Sequence, residues 1–293
     1  MAAVRTLAGI VASLRLRRWV KNLAFFAALL FSRNLAHRPL LAVSAVGFAL
    51  LCLASGGLYL VNDVLDRAED RRHPGKRHRP VASGRVSVPA ATIAAAVLVV
   101  PALAVSFALD RSFGTWMAGY VGLGLAYSLG LKRVPIVDLF VQGFLFLLRI
   151  VAGAVLIRVP ISHWLLLCSL LLSLFLALAR RRYELTSEET PQDSHAFLHY
   201  STYLVDQMIA VVTSATLIAY TLYTFSPETT AKVGSRNLVY TVPFVLYGIF
   251  RYLYVIYQKD TERPPDWELF LDRPLLINSA LYLLVAAIVL YGR

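Results

Sequence analysis

Residues 62–84 read NDVLDRAEDRRHPGKRHRPVASG and form the most charged stretch of an otherwise apolar chain. Asp63, Asp66 and Asp70 stand at i, i+3 and i+7, so on a helix the three carboxylates share one face, with Asn62 beside them. Carboxylates brought that close repel one another until cations neutralise them. Hard oxygen donors of this kind suit Mg2+, which seldom has a complete protein cage and shares its shell with water and substrate phosphates. Arg71, Arg72, Lys76, Arg77 and Arg79 follow at once. Cations beside a carboxylate and metal site are what a diphosphate or a sugar phosphate requires. A solvated loop is the bland alternative, and the one-face acidic spacing at the end of an apolar span argues against it.

The elements that must carry this stretch are set by composition. The chain has 293 residues, is 58% apolar and carries a net charge of +12; its mean hydropathy is +0.64. Soluble proteins sit at roughly 45–50% apolar, so this is a polytopic membrane protein. Apolar segments recur from end to end with no Pro/Gly/Ser linker, and a single membrane domain covering residues 1–293 is the simplest count. Spans of about 20 apolar residues are expected at 39–61, 86–109, 112–130, 134–157, 161–179, 204–225, 238–257 and 274–291. A ninth, 19–35, is interrupted by Lys21 and Asn22, which need a membrane face or a wet interior. Residues 1–18 read as an interfacial helix, and the basic run from Arg15 to Lys21 rules out a clean signal-peptide core. The fold class is therefore all-α integral membrane with nine transmembrane helices.

Basic residues set the orientation. With the N-terminus in the cytoplasm, Arg15, Arg17, Arg18, Lys21, the 67–85 loop, Lys132, Arg133 and Arg180–Arg182 all fall on the cytoplasmic side, as the positive-inside bias demands. Basic residues in a multispan protein report topology and lipid contact, and no nucleic-acid motif accompanies them, so nucleic acid is excluded as a partner. Cys52 and Cys168 lie inside apolar spans and read as packing residues.

Ionisable groups within spans are informative because they are costly there. Arg149 lies deep in 134–157, on the same face as Asp138 but about 16 Å along the helix, too far for a direct pair. Two roles are open to it: holding the bundle together through a neighbouring helix, or facing a polar cavity and contacting phosphate. Asp206, at the start of its span, is either a helix-start residue or part of the same cavity mouth. Tyr127, Lys132 and Arg133 place a phenol and two cations at the cytoplasmic edge. A second charged loop, 180–203, joins Arg180, Arg181, Arg182 and Glu184 to Glu188, Glu189 and Asp193. The six histidines build no zinc set or nucleophilic triad, and no P-loop is present. The chemistry these residues leave is metal-assisted departure of a diphosphate.

The motif NDVLDRAED followed by RPVASG resembles the NDxxDxxxD signature of the UbiA-type intramembrane prenyltransferases. Within that superfamily the chain is most similar to the branch that transfers phosphoribose to decaprenyl phosphate. The similarity rests on WVKN at 19–22, DRRHPGKRHRP at 70–80, YSLGLK at 127–132, RIVAGA at 149–154, RRRYEL at 180–185, LVDQM at 204–208 and LDRPLL at 271–276. The resemblance implies a UbiA-like helical bundle with an active-site cavity facing the cytoplasm, in the inner membrane, with a homo-oligomer allowed. Other members carry a second DxxxD-like motif after the sixth helix. Here Glu184, Glu188, Glu189 and Asp193 follow three arginines instead, which suits a donor with an additional phosphate.

On that resemblance, a polyprenyl phosphate attacks the anomeric carbon of phosphoribosyl pyrophosphate and diphosphate leaves, with Mg2+ as cofactor. Asp63, Asp66 and Asp70 become the catalytic carboxylates and, with Asn62, the metal ligands. Lys21, Asn62, Arg71, Lys76, Arg79, Tyr127 and Lys132 are candidate substrate contacts, as are Arg149, Arg182, Glu184 and Asp206. Two alternatives remain: prenyl transfer from a prenyl diphosphate to an aromatic acceptor at the same metal site, and a transporter whose pathway Arg149 and Asp138 line.

Overall fold

Why the acidic stretch sits at a helix end is visible from its flanks. The computed structural model describes residues 2–32, 34, 37–187, 200–233, 236–258 and 271–291, and all regular elements among them are helical. Six helices are long and apolar enough to cross a membrane: Arg38–Leu65, Val88–Leu109, Val137–Leu156, His163–Thr186, Thr202–Phe225 and Asn237–Gln258. The helices Arg111–Leu129 and Arg273–Tyr291 occupy two further expected spans. The described residues fall into two compact units, one up to residue 162 and one from 163 onward.

The first unit begins with α1 (Ala2–Ser13), a 3-10 segment (Leu16–Phe26) and α2 (Ala27–Phe31). It continues with α3 (Arg38–Leu65), α4 (Arg67–Arg72), α5 (Val88–Leu109), α6 (Arg111–Leu129) and α7 (Val137–Leu156). Local chemistry sets the boundaries. His37 caps α3 with Pro39 in its first turn, and Ser87 caps α5 by accepting from Ala90 N–H. Asp110 alone turns α5 into α6, accepting from Phe113 N–H at 2.9 Å. That backbone hydrogen bond, more than any other contact, holds its carboxyl below the usual range.

Phe25, Leu51, Ala54, Phe113, Met117 and Ala152 make the main core, from the 3-10 segment and α3, α6 and α7. On α5 the residues Ile93, Val97 and Val100 are 64%, 64% and 63% exposed. An apolar face that open is matched by lipid and not by water.

The expected span at 19–35 takes a different form: an eleven-residue 3-10 segment runs into five residues of α-helix. Three residues per turn put positions i and i+3 in register. Trp19, Asn22, Phe25 and Ala28 therefore form one row, of which Asn22, Phe25 and Ala28 are buried. Arg18 and Lys21 fall in the adjacent row. Burying Asn22 requires a partner, and Arg149 supplies it. The Arg149 guanidinium donates from Nε to Asn22 Oδ1 (2.9 Å), from Nη1 to Leu145 O (2.9 Å) and from Nη2 to the Tyr120 hydroxyl (3.1 Å). Asn22 Nδ2 donates in turn to Ser55 Oγ at 3.0 Å and Cys52 Sγ at 3.2 Å. One polar knot thus ties the 3-10 segment to α3, α6 and α7. Next to it Gly153 of α7 packs on the carbonyl of Phe25, where a Cβ would collide with backbone.

The second unit consists of α8 (His163–Thr186), α9 (Thr202–Phe225), α10 (Pro227–Val233), a 3-10 turn (Asn237–Thr241), α11 (Val242–Gln258) and α12 (Arg273–Tyr291). Ser201 caps α9 and Asp272 caps α12, the latter accepting from Leu275 N–H at 3.0 Å. Asp272 also takes Arg251 in two bonds, at 3.0 and 2.9 Å. Tyr220 shares hydroxyl bonds with Thr241 (2.7 Å) and Tyr282 (3.2 Å), joining α9 to α12 and the 3-10 turn.

Two stability outcomes follow for the first unit. Gly153→Ala should lower the thermal midpoint in detergent by an overpacking cost of about 1–3 kcal/mol, whereas Gly119→Ala, with nothing within 4 Å, should raise it slightly through helix propensity. Arg149→Met should cost about 1–3 kcal/mol for each orphaned polar group among Asn22 and Tyr120. An unchanged midpoint in Arg149→Met would show that the knot does not hold the segment.

Candidate metal and phosphate site

Along α3, Cys52, Ser55, Tyr59, Asp63 and Asp66 follow at helical spacing, so one stripe of this apolar helix is polar. Its inner end receives Asn22. Its outer end carries the carboxylates. Helix α3 stops at Leu65 and Asp66 is its C-cap, with Asp66 N–H donating to Asn62 O at 2.9 Å. The interruption is one residue long, because Asp70 N–H donates to Asp66 O at 2.8 Å and α4 resumes the turn. Asp63 and Asp70 are 1% and 3% exposed, and buried carboxylates demand counter-charge.

Three cations from three other segments provide it. The Arg15 guanidinium donates to Asp63 Oδ1, and Lys132 Nζ donates to Asp66 Oδ1. Arg79 Nη1 donates to both oxygens of Asp70, at 2.7 and 3.0 Å, and reaches Asp63 Oδ1 at 3.5 Å. Asp63 and Asp70 therefore converge on one cationic position, that of Arg79 Nη1. Asn62 Nδ2 donates to Asp66 Oδ2 at 2.9 Å and orients it.

How Arg79 arrives there explains the RPVASG sequence. Residues 73–87 close on themselves through Ser83 N–H to Arg79 O (2.9 Å) and Val86 N–H to Pro80 O (3.0 Å), with Val81 and Ala82 buried. Gly84 closes the turn at φ +79°, a left-handed conformation that disfavours side chains. Arg71 donates Nε to Ala82 O at 2.9 Å. The expected substrate contact Arg71 thus serves the loop that presents Arg79. Lys76 is half-buried in the same loop, Tyr127 lies half-buried near the end of α6, and Lys21 is exposed on the 3-10 segment.

This geometry bears on two of the expected roles. Among the described residues no three His, Cys, Asp or Glu side chains gather closely enough to hold a metal as they stand; Asp63, Asp66 and Asp70 each turn toward a cation of their own. Arg149 has its guanidinium nitrogens on protein partners, as the bundle-holding one of its two expected roles requires.

Arg15 is a site residue that the sequence pattern does not single out. Helical periodicity puts it on an interfacial helix, whereas it stands between α1 and the 3-10 segment at φ 53°, ψ 52°. Its spacing of three to Arg18 was the available signal, and both guanidinium groups lie over the Tyr59 ring, 5.2 and 5.7 Å from its centre. Burial, with Arg79 adding to it and Asp63 opposing, pushes the Arg15 guanidinium below its usual pKa.

In the second unit Arg182 donates Nε to Asp206 Oδ1 (2.9 Å) and Nη1 to Ile256 O (3.2 Å), and stacks 3.9 Å from the centre of the Tyr257 ring. Tyr257 donates its hydroxyl to the same Asp206 oxygen at 2.7 Å. Glu184 sits between Arg180 (3.2 Å) and Arg181 (3.1 Å). The expected Glu188, Glu189 and Asp193 lie outside the described residues.

The oxygen donors of Asp63 and Asp70, already converging on one positive charge, fit a hard divalent cation. Comparisons with known proteins agree with the fold that carries them. A UbiA homolog from Archaeoglobus fulgidus, solved bound to DMAPP and Mg2+, superposes with a TM-score of 0.69 over 96% of this chain and 98% of that one, at 18% identity. The decaprenyl-phosphate phosphoribosyltransferase of Mycobacterium tuberculosis is 35% identical over 252 residues, 84% of this chain and 82% of that protein. The enzyme of the same name from Mycolicibacterium smegmatis is 33% identical over 257 residues, 83% of this chain and 80% of that one. The UbiA prenyltransferase family matches residues 22–273, from the buried Asn22 through the acidic end of α3 to the first residue of α12, and the chain belongs to that family.

Proposed function

We propose that this protein transfers a 5-phosphoribosyl group from phosphoribosyl pyrophosphate to a polyprenyl phosphate and releases diphosphate. The observation that carries the reading is the charge count at the outer end of α3. Three carboxylates pair with Arg15, Arg79 and Lys132, so protein cations alone already balance their charge. A site that is balanced before any metal enters calls for a strongly anionic donor, and a sugar bearing both a diphosphate and a 5-phosphate supplies more negative charge than a prenyl diphosphate. The names of the relatives point the same way.

Asp63, Asp66 and Asp70 would hold Mg2+, with the side-chain oxygen of Asn62 as a further ligand. Bound there, the cation would neutralise charge on the departing diphosphate. Arg79 and Lys132, on a pinned loop and a tight turn, steady the diphosphate oxygens as the bond to the anomeric carbon breaks and charge builds on the leaving group. Lys76 and Lys21 are candidate contacts for the 5-phosphate, and Tyr127 for a sugar or phosphate oxygen. The attacking phosphate oxygen of the lipid is already anionic, so no side chain need remove a proton. That agrees with histidines that build no catalytic set. On the second unit Arg182 pairs with Asp206, and Glu184 with Arg180 and Arg181; Arg182, Glu184 and Asp206 are proposed as further substrate contacts, Arg182 to phosphate. We place the acidic end of α3 and the N-terminus at the cytoplasmic face of the inner membrane, in a cavity open to soluble donors. The nine proposed spans are the six apolar helices, Arg111–Leu129, Arg273–Tyr291 and the expected span 19–35, and a homo-oligomer is allowed.

Purified protein given Mg2+, polyprenyl phosphate and ribose-labelled phosphoribosyl pyrophosphate should move label into the lipid phase, and chelation by EDTA should stop it. Labelled prenyl diphosphate with an aromatic acceptor should give no product. Asp63→Asn and Asp70→Asn should each lower turnover by about 100-fold or more, as loss of charge stabilisation does elsewhere. Product from the prenyl donor alone, or full activity in EDTA, would reject the assignment.

A further inference from the structure

We infer that Arg15 is a displaceable counter-ion for Asp63, one that makes divalent-metal binding at the end of α3 depend on an accompanying polyanion. The inference rests on reading this stretch as a metal and diphosphate site, but not on which donor carries the diphosphate. With Arg15 on Asp63, Arg79 on Asp70 and Lys132 on Asp66, the three carboxylates are matched by three cations. A divalent ion added to that arrangement leaves two uncompensated positive charges beside carboxylates almost wholly removed from water. One protein cation must leave its carboxylate, and an anion must take it up.

Geometry selects Arg15 as the one that leaves. Arg79 grips both oxygens of Asp70 and belongs to a loop pinned by Arg71 and by the Ser83 and Val86 backbone bonds. Arg15 belongs to no helix. It is a lone left-handed residue, a conformation that L side chains disfavour, at the joint between α1 and the 3-10 segment. It shares Asp63 Oδ1 with Arg79, so two guanidinium groups compete for one oxygen. Tyr59, whose ring lies 5.2 Å from Arg15, offers the released guanidinium a resting face one helical turn from Asp63. Once a cation occupies Asp63, Arg15 is free to meet the phosphate oxygens that arrive with it, and the metal is retained only when such oxygens are present.

The test uses the full chain in detergent or nanodiscs, with Mn2+ followed by electron paramagnetic resonance and radiolabelled pyrophosphate followed by equilibrium dialysis at saturating Mg2+. Relative to wild type, Arg15→Gln should bind Mn2+ alone about tenfold more tightly and bind pyrophosphate about tenfold more weakly. Arg15→Lys, which keeps the charge, should match wild type in both. Arg15→Met, which keeps the stem over Tyr59, should repeat the glutamine result and serves in its place should that variant fail to fold. Unchanged or weaker Mn2+ binding in Arg15→Gln and Arg15→Met would overturn the inference, since that is what an arginine that merely holds Asp63 in place gives. Neither arm contains a ribosyl or prenyl donor, so the result stands apart from the donor assignment.

Discussion

Burying carboxylates at the end of an apolar helix is the constraint from which the first unit follows. Asp63 and Asp70 are almost fully enclosed, and an isolated buried carboxylate would either take up a proton or unfold its surroundings. The chain answers with a cation from each of three separate segments. The loop 73–87 folds back so that Arg79 reaches Asp70, the turn after α6 presents Lys132 to Asp66, and the joint after α1 bends so that Arg15 reaches Asp63. Each of these would be an odd local choice taken alone. Together they are what three converging negative charges require.

The same constraint acts deeper in the membrane with opposite sign. Arg149 is a buried cation whose satisfaction comes from neutral oxygens: Asn22, Leu145 O and Tyr120. Its position on α7 makes the 3-10 segment dock by Asn22, and Gly153 lets the Phe25 backbone approach. The knot at the inner end of the α3 stripe therefore fixes the segment whose first joint carries Arg15. In the second unit Arg182 with Asp206 and Tyr257, and Arg251 with Asp272, repeat the pattern of neutralisation between helices, here with aromatic rings stacked on both guanidinium groups.

Much of this was legible in the sequence, and the reasons for the rest are physical. The i, i+3, i+7 acidic spacing and the basic loop after it announced a charged helix end, and apolar runs announced the spans, because both are local patterns. Arg79 and Lys132 stand in basic stretches whose sequence points to phosphate, yet their partners are the carboxylates, which no local pattern reveals. The row Trp19, Asn22, Phe25, Ala28 has a period of three, which a helical period of 3.6 does not resolve as a face. Arg15 and Asp63, like Asn22 and Arg149, are far apart in sequence. Their pairing is decided by how the helices pack and not by either neighbourhood. Family resemblance carried the all-helical UbiA architecture because its motifs lie at those same packing points.

The carboxylates of Asp63, Asp66 and Asp70 form a divalent-metal site once Arg15 gives way on Asp63. The most direct measurement is the anomalous scattering of Mn2+ in crystals grown with pyrophosphate. A single strong peak within bonding distance of oxygens of Asp63 and Asp70, with the Arg15 guanidinium moved off Asp63, is the expected result. A metal peak at Asp206 or Glu184 with Arg15 still on Asp63, or no peak near α3 at all, would contradict the account.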